Sequence, residues 1–231
     1  METQPELRFM TRVSSLSSSS RLYLKLGLVD QNHQAPSGVG NPRIISIISS
    51  VLERSVREST ERDVTTPFHS SKPPGLGIRQ YLERIYKYSC CSPSCLVVAC
   101  VYMDRFLKQK GLRFTFLNIH RLLITSIMLA AKFLDDEQYD NAHFGKVGGV
   151  STEEMNKLEK EFLSALNFRL HVTVSTFDEY CLWLDKEGST ASGQMEQPSP
   201  PCKQVGYFSR LSYQAKKDAS HVIVGYMCKA V

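Results

Sequence analysis

Residues 122–141, "LLITSIMLAAKFLDDEQYDN", decide the fold class of this chain. A nearly continuous apolar run carries one lysine, Lys132, three residues before Asp135 and Asp136 close it. Drawn on a wheel of about 100° per residue, positions 116–134 are apolar around most of the circumference, which marks a central, buried helix. Asn118, Arg121, Thr125 and Lys132 gather on one narrow polar seam, so Lys132 is expected on the side that leaves the core. A cation in the last turn of a helix meets the negative end of the macrodipole, and its long stem can snorkel to water. That accounts for Lys132 with no partner at all. A membrane span is not expected, because His120, Arg121, Thr125, Ser126 and Lys132 interrupt the run.

The flanks repeat the helical period. Upstream, "PRIISIISSVLERSV" (42–56) predicts a first helix behind Asn41, with Pro42 placed as an N1 proline. "IRQYLERIYKYS" (78–89) puts Ile78, Tyr81, Leu82, Ile85 and Tyr88 on one face. "CSPSCLVVACVYMDRFLKQKG" (91–111) opens with Ser92 as N-cap and Pro93 at N1 and stops at Gly111. Thr115 is the expected cap of the central helix. Downstream, residues 137–147 predict a short helix stopped by Gly148 and Gly149. "STEEMNKLEKEFLSALNF" (151–168) then begins with a capping box of Ser151 and Glu154, and "STFDEYCLWLDKEG" (175–188) opens similarly at Ser175 and Asp178. The Pro- and Gly-rich "TTPFHSSKPPGLG" (65–77) is a loop, and no stretch has a strand period of comparable quality. The core is all-α.

Residues 1–40, with "SSLSSSS" and "QNHQAPSGVGNP", predict a disordered N-terminal tail that cannot bury enough apolar surface to fold alone. Residues 41–187 form the domain. Residues 188–231 read as a linker, "GSTASGQMEQPSPP", and a tail with a weak helix or nothing regular. The 44 residues after Glu187 cannot build a second copy of the domain, which needs on the order of 100 residues.

Composition narrows the function. The net charge of +5 comes from interspersed acids and bases without a basic stripe, so no nucleic-acid partner is expected. The N-terminus has no apolar secretory segment, and the seven cysteines are odd in number and sit on helical segments. They read as reduced thiols of a protein of the nucleus and/or cytoplasm. Cys90, Cys91, Cys95 and Cys100 lack CxxC spacing and a second cluster, which favours small hydrophobes over zinc ligands. No Walker loop occurs, "GKVGGV" lacks its glycine spacing, "DDEQYD" lacks the glycine and glutamate of a calcium loop, and His120, His143 and His171 stand alone. No catalytic residue, cofactor or small-molecule substrate is expected.

Two other charges stand where charge is costly. Glu159 falls inside the apolar stripe of Met155, Leu158, Phe162 and Leu166, so it must shift its pKa, reach water or find donors. Asp104 in "VYMDRFL" shares a side with Val97 and Val101. Arg84, at the border of the apolar face of its helix, is its expected partner in a structural ion pair that fixes how two helices dock.

Taken in order, "YLERIYKYS", "VACVYMDRFL", "LITSIMLAAKFLDD" and "LEKEFLSALNFRL" resemble the cyclin box over residues 43–187, and are most similar to Pho80-like plant P-type or U-type cyclins. The resemblance implies a single five-helix cyclin box, here with a preceding N-terminal helix and disordered tails, whose third helix is central. It also implies a non-catalytic partner that binds and activates a cyclin-dependent protein kinase in cell-division or phosphate-nutrient control. Lys132 in "AAKF" and Glu159 in "LEKEF" match the lysine and glutamate with which cyclins contact the kinase. The alternative is a cyclin-fold scaffold or transcription-factor-like module. No "MRAIL"-type sequence precedes "YLERIYKY", so the substrate-docking patch is not implied. "RLYL" (21–24) has the RxxL form of a destruction signal without the later asparagine, and Thr66–Pro67, Ser92–Pro93 and Ser199–Pro200 match the minimal kinase target pattern.

Overall fold

The helix that contains most of residues 122–141 is the one the others surround. In the structure, a computed structural model that describes residues 17–29, 41–59, 65–137 and 139–192, it runs Ile119–Leu134 and is buried from Ile119 to Ala131 except at Arg121. Each aliphatic side chain removed from water that completely contributes about 1.5–3 kcal/mol, which makes this helix the anchor of the core. Among the described residues every regular element is helical: α1 (Ser18–Leu26), α2 (Arg43–Arg57), α3 (Ile78–Ser89), α4 (Pro93–Lys110), α5 (Ile119–Leu134), α6 (Asn141–Gly148), α7 (Thr152–Ala165) and α8 (Val174–Ser192). Helices α3 to α7 are the five-helix unit, and α5 packs on α3, α4, α6 and α7. The fold is the all-α one that the periodicity predicts.

Aromatic packing ties the breaker-rich loop and α7 to α4. Phe68, fully buried, meets Phe106 edge-on at 4.8 Å and Phe162 at 5.8 Å, while Phe106 and Phe162 stack at 4.6 Å. Such pairs add about 0.5–1.5 kcal/mol each beyond their area. Phe162 lies three residues after Glu159, so this cluster also sets where Glu159 emerges. After α7 the chain turns through Asn167 and Phe168, both left-handed. Arg105 donates to the carbonyls of Arg169 (2.9 Å) and His171 (3.1 Å), and Tyr102 to that of Leu170 (2.7 Å), pinning the turn to α4.

The tail expected over residues 1–40 is corrected within its described part. Ser17 accepts from the Ser20 N–H as an N-cap, Gly27 closes the helix at φ 75°, and between them Tyr23 and Leu26 are buried. Tyr23 bonds to Asp178 and meets Phe177 edge-on, and Lys25 pairs with Asp185 at 2.7 Å. Of the serines that read as low complexity, Ser17 is a cap and Ser18, Ser19 and Ser20 are the first turn, and the buried face belongs to the residues after them. "RLYL" therefore lies in α1 against α8, not in a flexible tail. The remainder of residues 1–40, Ser199–Pro200 and the possible weak helix near the C-terminus lie outside the described residues.

Boundaries shift for physical reasons. Helix α8 runs past the expected linker start to Ser192 and packs on α2, where Gly188 sits against Ile47 so closely that a Cβ would stand 2.6 Å from that side chain. The helix also begins before Ser175: Thr173 accepts from the Thr176 N–H (3.2 Å), and Asp178 is engaged by Tyr23. Pro42 is the residue before α2 rather than its first. Thr115 does not cap α5. Asn118 does the local work, accepting from the Thr115 N–H at 2.9 Å and donating to the Arg113 carbonyl at 2.8 Å.

Candidate partner-binding face

The predicted polar seam of α5 does not face water along its length. Asn118 and Thr125 are fully buried. Thr125 donates to the Arg121 carbonyl (2.7 Å), and Arg121 donates to the His69 carbonyl (2.6 Å) while pairing with Glu154 on α7. Glu154 thus completes only part of the expected capping box: its N–H goes to Ser151, but its carboxylate goes to Arg121. The seam is the contact with α7 and the 65–77 loop, and Lys132, at its end, is where it reaches the rim.

There Lys132 and Glu159 meet. Lys132 Nζ lies 2.7 Å from Glu159 Oε1, with side-chain exposures of 29% and 19%. Asn141, the first residue of α6, bridges them: its Oδ1 accepts from Lys132 Nζ at 2.5 Å, and its Nδ2 donates to Glu159 Oε2 and to Asn156 Oδ1, both at 2.6 Å. Glu159 thereby gains the donors that a carboxylate in an apolar stripe requires. The lysine read as a snorkelling cation is one half of an ion pair. Beside it Phe133 is 48% exposed on α5, so apolar surface adjoins the charges.

The ends of the supporting helices are fixed by caps. Asp135, just past α5, accepts from the Ser92 N–H (3.0 Å) and from the Cys95 thiol (3.3 Å), which joins the end of α5 to the start of α4. Ser92 is positioned as the N-cap residue, but its own hydroxyl makes no cap hydrogen bond, and the Asp135 carboxylate, from the residue that follows α5, satisfies the cap region, where negative charge is favoured. Asp140 caps α6 through the His143 N–H (2.8 Å) and Ser151 caps α7 through the Glu154 N–H (3.1 Å). Lys132, Asn141 and Glu159 therefore project from three helices whose ends cannot drift independently.

Arg84 and Asp104 do not form the expected pair. Arg84 donates to the carbonyls of Val147 (2.9 Å) and Lys146 (3.3 Å), and Tyr81 donates to that of Gly148 (3.0 Å), so α3 satisfies the last carbonyls of α6. Asp104 accepts from the Tyr180 hydroxyl on α8 at 2.8 Å, and its Oδ1 has no hydrogen-bond partner among the described residues. Burial raises Asp104 from 3.8 to about 7, against the opposing effect of Tyr180, Lys108 and Arg105. A helical wheel gives the angle of each side chain but not which neighbour stands there, and α3 turns this edge to α6 while α4 turns its own to α8.

The buried thiols serve packing. Burial pushes Cys91 up to about 11 and Cys100 to about 12, and raises Cys95 and Cys181 as well, which holds them protonated. Asn141, Asp135 and Tyr180 were missed by sequence reasoning. For Tyr180 a signal existed, since a tyrosine on a buried face must find a partner for its hydroxyl; for Asn141 there was none.

The family model described as Cyclin matches residues 40–170. The chain is 46% identical over 173 residues to Cyclin-P3-1 of Oryza sativa subsp. japonica, covering 71% of this chain and 72% of that protein. It is 50% identical over 153 residues to Cyclin-U4-1 of Arabidopsis thaliana, covering 63% and 76%. It is 40% identical over 200 residues to Cyclin-U2-1 of the same plant, covering 83% and 89%. The chain therefore belongs to the cyclin family, alongside plant P-type and U-type cyclins, and its role is that family's regulatory one.

Proposed function

We propose that this chain is the non-catalytic subunit that binds a cyclin-dependent protein kinase and switches it on by holding the kinase αC helix in its inward position. A protein kinase is active only when a glutamate on αC pairs with the β3 lysine that positions the ATP phosphates. A rigid surface that binds the inward αC better than the outward one shifts the kinase by that difference in affinity. The observation that carries the reading is the Lys132–Glu159 pair, set at 2.7 Å on the rim of the central helix with Phe133 exposed beside it. Lys132 is suited to donate to backbone carbonyls near αC and Glu159 to accept from N–H groups beside them, while apolar contacts supply most of the buried area. The complex works in the nucleus and/or cytoplasm, in cell division or phosphate-nutrient control.

The test is to purify the chain with a panel of cyclin-dependent kinases and to measure phosphoryl transfer by each with and without it. Stimulation of at least one kinase upon stable complex formation is expected. Stable binding without stimulation of any kinase would favour a scaffold role and sink the activating one.

A further inference from the structure

Lys132 and Glu159 are already satisfied within the chain, so a partner that takes them must open their 2.7 Å ion pair. Opening a half-buried pair ordinarily strands one charge without water or partner, and that cost opposes exchange. The residue between them changes this. Asn141 turns its carbonyl oxygen to the ammonium and its amide nitrogen to the carboxylate, the orientation in which each charge meets an atom of complementary sign. The Asn156 side-chain oxygen Oδ1, 2.6 Å from the same nitrogen, holds that orientation, and the Asp140 cap fixes the backbone beneath it.

We propose that Asn141 is a positioning residue of the kinase-binding face, which keeps Lys132 and Glu159 each hydrogen-bonded while their ion pair opens to take up the partner's carbonyl and N–H groups. The proposal rests on the reading of Lys132 and Glu159 given above and adds a third residue that acts through them. Asn141→Asp is the informative variant. An acid in the first turn of α6 suits the helix dipole, yet it sets a second carboxylate beside Glu159 and removes the donor to it.

The experiment uses the full chain and the kinase that it binds most tightly in a panel of purified cyclin-dependent kinases, with Kd and Tm measured for every variant. Asn141→Asp is expected to raise Kd about tenfold and Asn141→Ala about fivefold, as coupled neighbours do. In a chain already carrying Lys132→Ala and Glu159→Ala, measured at correspondingly higher concentration, the same changes leave Kd within about twofold. An equal weakening in that background, or no weakening in the native one, overturns the proposal and leaves the kinase reading standing. If Lys132→Ala and Glu159→Ala do not themselves change Kd, the face is wrongly assigned and both fall.

Discussion

The two places where the sequence sets charge against apolar surface are resolved in opposite ways. At the rim, Lys132 and Glu159 keep part of their surface in water, and opposite charge and an amide surround each of them. In the interior, Asp104 is 2% exposed, meets a single hydroxyl and leaves one oxygen unbonded. A rim pair with spare partners can exchange one of them for a binding protein. A buried carboxylate with one neutral donor instead holds its proton and works as a structural hydrogen bond between α4 and α8.

The largest effect that separates the two comes from exchanging the rim charges. Lys132→Glu combined with Glu159→Lys preserves an ion pair within the chain but reverses donor and acceptor toward a partner. Kinase affinity should fall by about 4 kcal/mol with little loss of melting temperature. Unchanged affinity would mean that the pair is purely structural, and the contrast with Asp104 would vanish.

The interior site predicts a pH dependence. Folded, Asp104 keeps its proton up to about pH 7, whereas its ordinary value is 3.8. Between those values the folded chain binds more protons than the unfolded one, so the stability this carboxyl contributes is full below about pH 4, falls as pH rises and is lost above about pH 7, with no further slope outside that window. Asp104→Asn removes the titration while keeping an acceptor for Tyr180, and should flatten the profile by on the order of 3 kcal/mol between pH 4 and pH 8. Denaturant unfolding across that range measures it; parallel profiles for the two proteins would contradict the assignment.

Tyr180→Phe leaves both Asp104 oxygens without a donor and should cost about 2 kcal/mol of stability, with kinase affinity unaltered at temperatures where the chain is folded. The smallest expected effect is at Gly188→Ala. The added methyl crowds Ile47, which costs about 1–3 kcal/mol, and the better helix propensity of alanine returns about 1 kcal/mol. A net loss of about 1 kcal/mol by thermal melting supports the extension of α8 across α2, and a gain would show that the contact is loose.

What could be read before the structure follows the same division. Periodicity found α5 as the central helix and flagged Lys132 on α5 and Glu159 on α7, because each signal is carried by the period of a single helix. It failed where the answer depends on which helix stands opposite: the Arg84–Asp104 pair was drawn across α3 and α4, yet Arg84 closes α6 and Asp104 meets α8. It also failed at α1, where serine composition hid a capped helix whose Tyr23 and Leu26 are buried. Asn141 was invisible because an amide at a helix start is ordinary until two opposite charges are placed on either side of it.

The central claim is tested most directly by titrating the unaltered chain and the Lys132→Ala/Glu159→Ala variant into the kinase that the chain binds, following phosphoryl transfer, with Tm recorded for both. The variant should need on the order of 100-fold more protein for half-maximal activation while melting within a few degrees of the unaltered chain. Superimposable activation curves at equal Tm would contradict the account.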